Sequence, residues 1–284
     1  MPLAPIDEHT AVDYLVAGEA QPGVPDLVLV HGTGGSAESN WLHLVDGLRD
    51  GRRVIAPNYA GSGRTTDHGG ELSLGELVAQ VDAAATHAGS ERYDVVGFSL
   101  GAVVGAQLAA DRPERVRRLV LVNGWGTSAS GRIQLQFDLW QRLHAREPRA
   151  LAELLVLTGF SPGFLAKRPA HVIERMVEET LTSFQPGIGR QAALDQQVDL
   201  SATFPRIRSS TLVIGSREDH IVPVDLSRQM VAPIRWSDYH EISSGHLVIF
   251  EQPAELVSTV TRFFARPDRR TNPQPISGPE RRGR

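Results

Sequence analysis

The 284-residue chain contains no cysteine, which excludes disulfides and thiolate metal sites and fits a reducing compartment. An excess of positive charge is missing too. The 29 Lys and Arg stand against 33 Asp and Glu, for a formal net charge of -4, and no basic cluster in the part that reads as folded marks a nucleic-acid footprint. No run approaches the roughly 18 apolar residues that a membrane helix needs. The opening MPLAPIDEHTAVDYLVAGEA lacks a basic region followed by an apolar core. These absences lead to the expectation of a cytoplasmic protein with neither a membrane nor a nucleic-acid partner. Internal repeats are absent, and the oligomeric state is left open. What is present is ordinary for a globular protein: 41% hydrophobic and 22% charged residues, with enough chain for one large α/β core or two modest domains.

Strand-like runs alternate with helical patterns. LVLVH (27–31), RRVIAP (52–57), RYDVVGF (92–98), RRLVLVN (117–123), STLVIGS (210–216) and SDYHEIS (237–243) are short, rich in β-branched residues and mostly apolar on both faces, as strands of a covered parallel sheet are. Leu74, Leu77, Val78 and Val81 share one face of a helix that Ser73 can cap, and Pro223 and Pro253 open two further helical stretches. The pattern predicts an α/β, doubly wound, mostly parallel sheet. Between Asn123 and about Phe204 the alternation stops, and IQLQFDLWQRLHA, RALAELLVLTG, HVIERMVEETLTSF and GRQAALDQQV read as helices alone. A helical insertion there sits over the strand ends, where such sheets bind ligands, so it is expected to be a lid. The resulting division is core (1–124), helical cap (125–204), core again (205–266) and a tail (267–284) whose prolines and arginines cannot form a core.

The chemistry-bearing segment is VVGFSLGAVVG, residues 95–105. Ser99 stands midway between Gly97 and Gly101, after an apolar strand and before a small-residue helix. That context makes G-x-S-x-G a nucleophile elbow. A serine nucleophile needs a base, and the base needs an acid to orient it. His246 follows the last strand after a Ser-Gly turn. His240 lies inside that strand and reads as a buried structural histidine, while His220 reads as a neighbour of the acid. Asp219, four residues past Gly215, is the acid candidate. Glu218 reads as pointing away on the loop, and Asp225 as lying in the following helix. The order Ser99, Asp219, His246 is that of one known fold.

With these motifs the chain resembles the α/β-hydrolase fold superfamily over roughly residues 10–265, and its look is that of capped esterases, enol-lactonases and carbon-carbon bond hydrolases. The resemblance implies no cofactor, a small-molecule substrate, and an acyl-serine formed by Ser99 with His246 as base and Asp219 orienting it. It also implies an oxyanion hole made by the backbone N–H groups of Thr33 and Leu100, with the glycines after His31 giving close backbone approach, and no catalytic role for His31. Where the family commonly has an aspartate before the loop ending Gly-x-Gly, this chain has Asn58, which puts the loop around Gly61 and Gly63 in question. That Gly-Ser-Gly lacks the spacing of a phosphate-binding loop, and no histidine pair has metal-ligand spacing.

The expected substrate is a medium-sized, largely apolar ester or lactone met by Trp125, Phe137, Trp140 and Phe160. Carbon-carbon hydrolysis, perhydrolysis and acyl cyclisation on the same three residues are alternatives, and a non-catalytic small-molecule receptor is another. A strongly anionic substrate would need a basic anchor, for which Arg132, Arg142, Arg168 and Arg190 are the candidates.

Overall fold

The computed structural model describes residues 1–267. The expected tail therefore lies outside the described residues apart from Pro267. Eight strands form one sheet in the order β1-β2-β4-β3-β5-β6-β7-β8: β1 Leu3–Pro5, β2 Ala11–Ala17, β3 Asp26–Val30, β4 Val54–Pro57, β5 Tyr93–Phe98, β6 Val116–Val122, β7 Ser210–Ser216 and β8 Ser237–Ile242. From β4 to β8 every neighbouring pair is parallel, whereas β1 and β2 add an antiparallel edge. The six predicted strands are present. β4 begins at Val54, two residues later than the predicted run 52–57, whose first two residues turn to buried carboxylates: Arg52 Nη1 lies 2.8 Å from Asp94 Oδ2, and Arg53 makes a two-pronged pair with Asp26.

The strand period of two divides the core. In β3, Leu27 and Leu29 pack with Trp41, Leu48, Val260 and Phe264 on one face, while Val28 and Val30 pack with Leu77, Val81, Leu100 and Val104 on the other. Each such side chain, fully buried, stabilises the fold by about 1.5–3 kcal/mol. The first face is covered by α1 (Ala37–Trp41), α2 (Val45–Arg49) and, from the far end of the chain, residues of Pro253–Ala265. The second face is covered by α3 (Leu74–His87), which the Ser73–Glu76 capping box opens, and by α4 (Leu100–Asp111). Helix α4 has no polar face because it is buried on nearly all sides.

Between β6 and β7 the described residues hold five α-helices, a single 3-10 turn (Phe204–Arg206) and no strand: α5 (Gly131–Arg146), α6 (Pro148–Gly159), α7 (Pro162–Leu165), α8 (Ala170–Ser183) and α9 (Ile188–Asp195). The remaining helices are α10 (Val224–Gln229), α11 (Val248–Glu251) and α12 (Pro253–Ala265). Among the described residues no helix is long and apolar enough to cross a membrane.

His240, expected to be buried, is half-exposed on the edge strand β8, 3.9 Å from Glu255. The place of β8 at the end of the sheet is what leaves His240 open.

Candidate active site

Ser99 follows β5 directly and is the residue before α4, with φ 55° and ψ -120°. Left-handed backbone in a non-glycine residue is uncommon and costs energy. The strain of the elbow thus falls on the serine, while the two glycines serve close approach. A Cβ at Gly97 would overlap the Gly101 carbonyl, and one at Gly101 would overlap the Val30 carbonyl. Ser99 N–H donates to the Val122 carbonyl at 2.9 Å, which ties the elbow to the end of β6.

Asp219 and His246 reach the same spot from the loops after β7 and β8. His246 Nε2 is 3.0 Å from Ser99 Oγ, and His246 Nδ1 is 2.7 Å from Asp219 Oδ2. All three residues are buried. The other oxygen of Asp219, Oδ1, accepts the N–H groups of Ile221 (2.9 Å) and Val222 (2.7 Å), which fixes the carboxylate plane. Glu218 and His220 are exposed, and Asp225 lies in α10.

Two residues that sequence reasoning passed over hold the His246 loop. Asn123 leaves β6 with φ 51°, and its Nδ2 donates to the His246 carbonyl (2.7 Å) and to Ser216 Oγ (3.0 Å). Glu251 accepts the Gly245 N–H (3.0 Å) together with the N–H (2.9 Å) and hydroxyl of Ser161, so the junction of α6 and α7 is joined to the histidine loop. Neither belongs to a recognisable motif. Asn123 is the last residue of a strand-like run, and only its positive φ marks it out.

The loop after β3 approaches the elbow from the other side. Its N–H groups are occupied in turn: Gly32 donates to Asn40 Oδ1 (2.9 Å), Gly34 to Gln191 Oε1 (2.8 Å) and Gly35 to the Gly32 carbonyl (3.1 Å). Among the described residues neither the Thr33 N–H nor the Leu100 N–H meets an acceptor. His31 is buried and stacked on Tyr59 at 3.9 Å, and burial lowers its pKa to about 4, which keeps the ring neutral.

Asn58 occupies the position of the usual aspartate for a local reason. Its Oδ1 accepts the Ala37 N–H (2.7 Å), and its Nδ2 donates to Asp13 Oδ2 (3.2 Å) and Glu38 Oε2 (3.4 Å). An aspartate there would be a third carboxylate with nothing to donate. Asn58→Asp is therefore expected to destabilise the fold by about 2–3 kcal/mol. Urea unfolding should show a lower midpoint at unchanged m, and a midpoint equal to that of the parent protein would contradict this account.

Ser99 and His246 open onto a cavity of about 120 Å³. Phe98, Trp140, Leu155, Phe184, Ile188 and Phe250 give it apolar walls, and Thr33, Ser39, Asn40, Thr180 and Ser183 supply polar groups. Of the four aromatics expected to meet a substrate, Trp140 lines this cavity and the other three do not. Trp125 is fully buried, its Nε1 donates to Ser128 Oγ, and its ring packs on Phe137 at 5.7 Å. Phe160 stacks on Phe164 inside the helical insert. Their stripes fasten the insert to the sheet and to itself, the commoner fate of an apolar helix face.

None of the four candidate arginines lines the cavity. Arg132 donates to the carbonyls of His220 and Ile221, Arg142 pairs with Asp138, Arg168 lies over the Phe164 ring, and Arg190 pairs with Asp67. Among the described residues no group of three or more His, Asp or Glu is placed to hold a metal ion.

Residues 25–253 match the family model described as alpha/beta hydrolase fold. A protein of Xenorhabdus hominickii named pyrrolizixenacetamide deacetylase is 40% identical over 258 residues, covering 90% of this chain and 96% of that protein. Among solved structures, the enol-lactonase from Burkholderia xenovorans LB400 superposes with a TM-score of 0.82 at 22% identity, over 93% of this chain and all of that one. A thermophilic esterase from Thermogutta terrifontis gives a TM-score of 0.77 at 21% identity, over 90% and 93% of the two chains. With its mostly parallel eight-stranded sheet and this match across most of its length, the chain belongs to the alpha/beta hydrolase fold family.

Proposed function

We propose that the protein hydrolyses small neutral acyl compounds, carboxylic esters or N-acyl amides, through an acyl-serine intermediate on Ser99. The observation that carries this reading is the hydrogen-bonded run Asp219–His246–Ser99, which ends at a cavity that no Asp, Glu, Lys or Arg among the described residues lines.

In the proposed mechanism His246 Nε2 takes the Ser99 proton as Oγ attacks the carbonyl carbon. Asp219 holds the ring with its Nδ1–H toward the carboxylate and stabilises the imidazolium. The Thr33 and Leu100 N–H groups receive the developing oxyanion, and losing one such donor costs about a hundred- to thousandfold in comparable sites. His246 then gives its proton to the leaving oxygen or nitrogen and activates the water that releases the acid.

Size and charge support a compact neutral acyl group. A cavity of about 120 Å³ is smaller than the roughly 150 Å³ that accommodates benzene, and the relative named a deacetylase is consistent with an acetyl-sized group. This narrows the medium-sized substrate expected from sequence, because Trp125, Phe137 and Phe160 are spent on packing. Carbon-carbon cleavage of an anionic ring-fission product is disfavoured, since among the described residues no Lys or Arg lines the cavity.

The test is a panel of p-nitrophenyl esters from acetyl to octanoyl, an N-acetyl anilide, a lactone and a vinylogous diketone acid. The acetyl and butyryl esters should give the highest kcat/KM, with a loss of about tenfold or more at octanoyl, since added methylenes no longer fit. If the diketone acid wins by a hundredfold, acyl hydrolysis is the wrong reading.

A further inference from the structure

Helix α9 of the insert carries two buried polar side chains one turn apart, Gln191 and Asp195, on the face turned to the loop after β3. Gln191 Oε1 accepts the Gly34 N–H at 2.8 Å, while its Nε2 is anchored on the Ala60 carbonyl (3.0 Å) and Ser62 Oγ (3.1 Å). Asp195 Oδ2 accepts the Thr33 hydroxyl at 2.7 Å. The insert therefore grips the oxyanion loop from behind at two consecutive residues, Thr33 by its side chain and Gly34 by its backbone. With Gly32, Gly34 and Gly35 satisfied elsewhere, the Thr33 N–H is the loop donor left without an acceptor among the described residues.

Asp195 is an expensive group to keep in that place. It is fully buried, no cation pairs with it among the described residues, and its Oδ1 has no partner. Burial pushes its carboxyl well above the usual carboxylate range. An apolar residue of similar size would serve packing better. What it does at that place is accept the Thr33 hydroxyl.

We propose that Asp195, with Gln191, is a positioning residue that sets the Thr33 N–H for the transition state, so that the insert contributes to rate and not only to substrate fit. This rests on the acyl-serine reading above. A group that acts through the oxyanion donor should change kcat and leave KM nearly alone.

The experiment measures kcat, KM, active-site titre, melting temperature and the inhibition constant of a small alkyl boronic acid for the parent protein and for Asp195→Ala, Asp195→Asn, Thr33→Val, the Thr33→Val/Asp195→Ala double variant and Ser99→Ala. Thr33→Val keeps the backbone N–H and removes only the hydroxyl. Thr33→Val and Asp195→Ala should each lower kcat per active site by about 10- to 100-fold, with KM within about threefold and boronate binding weakened by the same factor as kcat. The double variant should be no worse than the poorer single one, because both break one contact. Asp195→Asn, neutral and still an acceptor, should recover to within about fivefold of the parent. If Asp195→Ala does not fold, Thr33→Val and Asp195→Asn carry the comparison. A Thr33→Val protein with parental kcat, losses that fall on KM, or unchanged boronate affinity would each overturn the inference. Ser99→Ala separates the two levels. Should it retain turnover, the acyl-serine reading itself is lost; should it be inactive while Thr33→Val and Asp195→Ala are parental, only the positioning role falls.

Discussion

Ser99→Ala is expected to lower kcat for p-nitrophenyl acetate by roughly a millionfold while leaving the melting temperature within a degree or two. The loss is large because proton transfer and carbonyl attack both need the Oγ that lies 3.0 Å from His246 Nε2. The fold is spared because alanine keeps the Cβ, and the strain at φ 55° is unchanged. His246→Ala should fall as far, and the double variant no further, since the three residues act as a unit. A remnant of about 10³- to 10⁴-fold over water should persist, from the oxyanion donors and from binding. The check is stopped-flow and long-time turnover alongside circular dichroism. Turnover within tenfold of the parent in either single variant would remove that residue from the mechanism.

Asp219→Asn should cost about 10⁴-fold in kcat, and the hydrogen bonds around it say why. Oδ1 is fixed as an acceptor by the N–H groups of Ile221 and Val222. An asparagine must place its carbonyl oxygen there, which turns its NH₂ toward His246 Nδ1. The imidazole then has to accept at Nδ1 and carry its proton on Nε2, facing Ser99, where it cannot act as a base. The variant should unfold at nearly the parental temperature, and its imidazole nitrogen shifts in NMR should report the reversed tautomer. A variant that keeps a tenth of the parental rate, or the parental tautomer, would contradict the assignment of Asp219.

What could be read from the sequence was local. Ser99 and Asp219 follow within a few residues of apolar runs that end parallel strands, and His246 follows the end of β8 after a Ser-Gly turn, so strand, turn and residue type coincide in short windows. The same held for the sheet from β3 to β8. It failed for β2, AVDYLVA, where Asp13 interrupts the apolar pattern. Asp13 is buried all the same, because Asn58 and Arg64 reach it from more than forty residues away. The groups around the loop after β3 were illegible for that reason as well. Gln191 and Asp195 lie on an ordinary helix and meet Gly34 and Thr33 across 157 and 162 positions. Trp125 and Phe137 erred in the other direction. An aromatic stripe has the same spacing whether it walls a cavity or holds a helix down, and here the second use prevailed.

The insert is joined to the machinery at two separate places, α9 to the loop after β3, and Ser161 through Glu251 to the loop carrying His246. It follows that this segment is not an interchangeable module. A chimera that grafts the insert of another family member onto this sheet would exchange the supports of both the His246 loop and the loop after β3 along with the cavity wall. Residues 191 and 195 are matched to 34 and 33, and 161 to 251, so an exchange of the insert has to carry both sets of partners or replace the contacts it leaves behind.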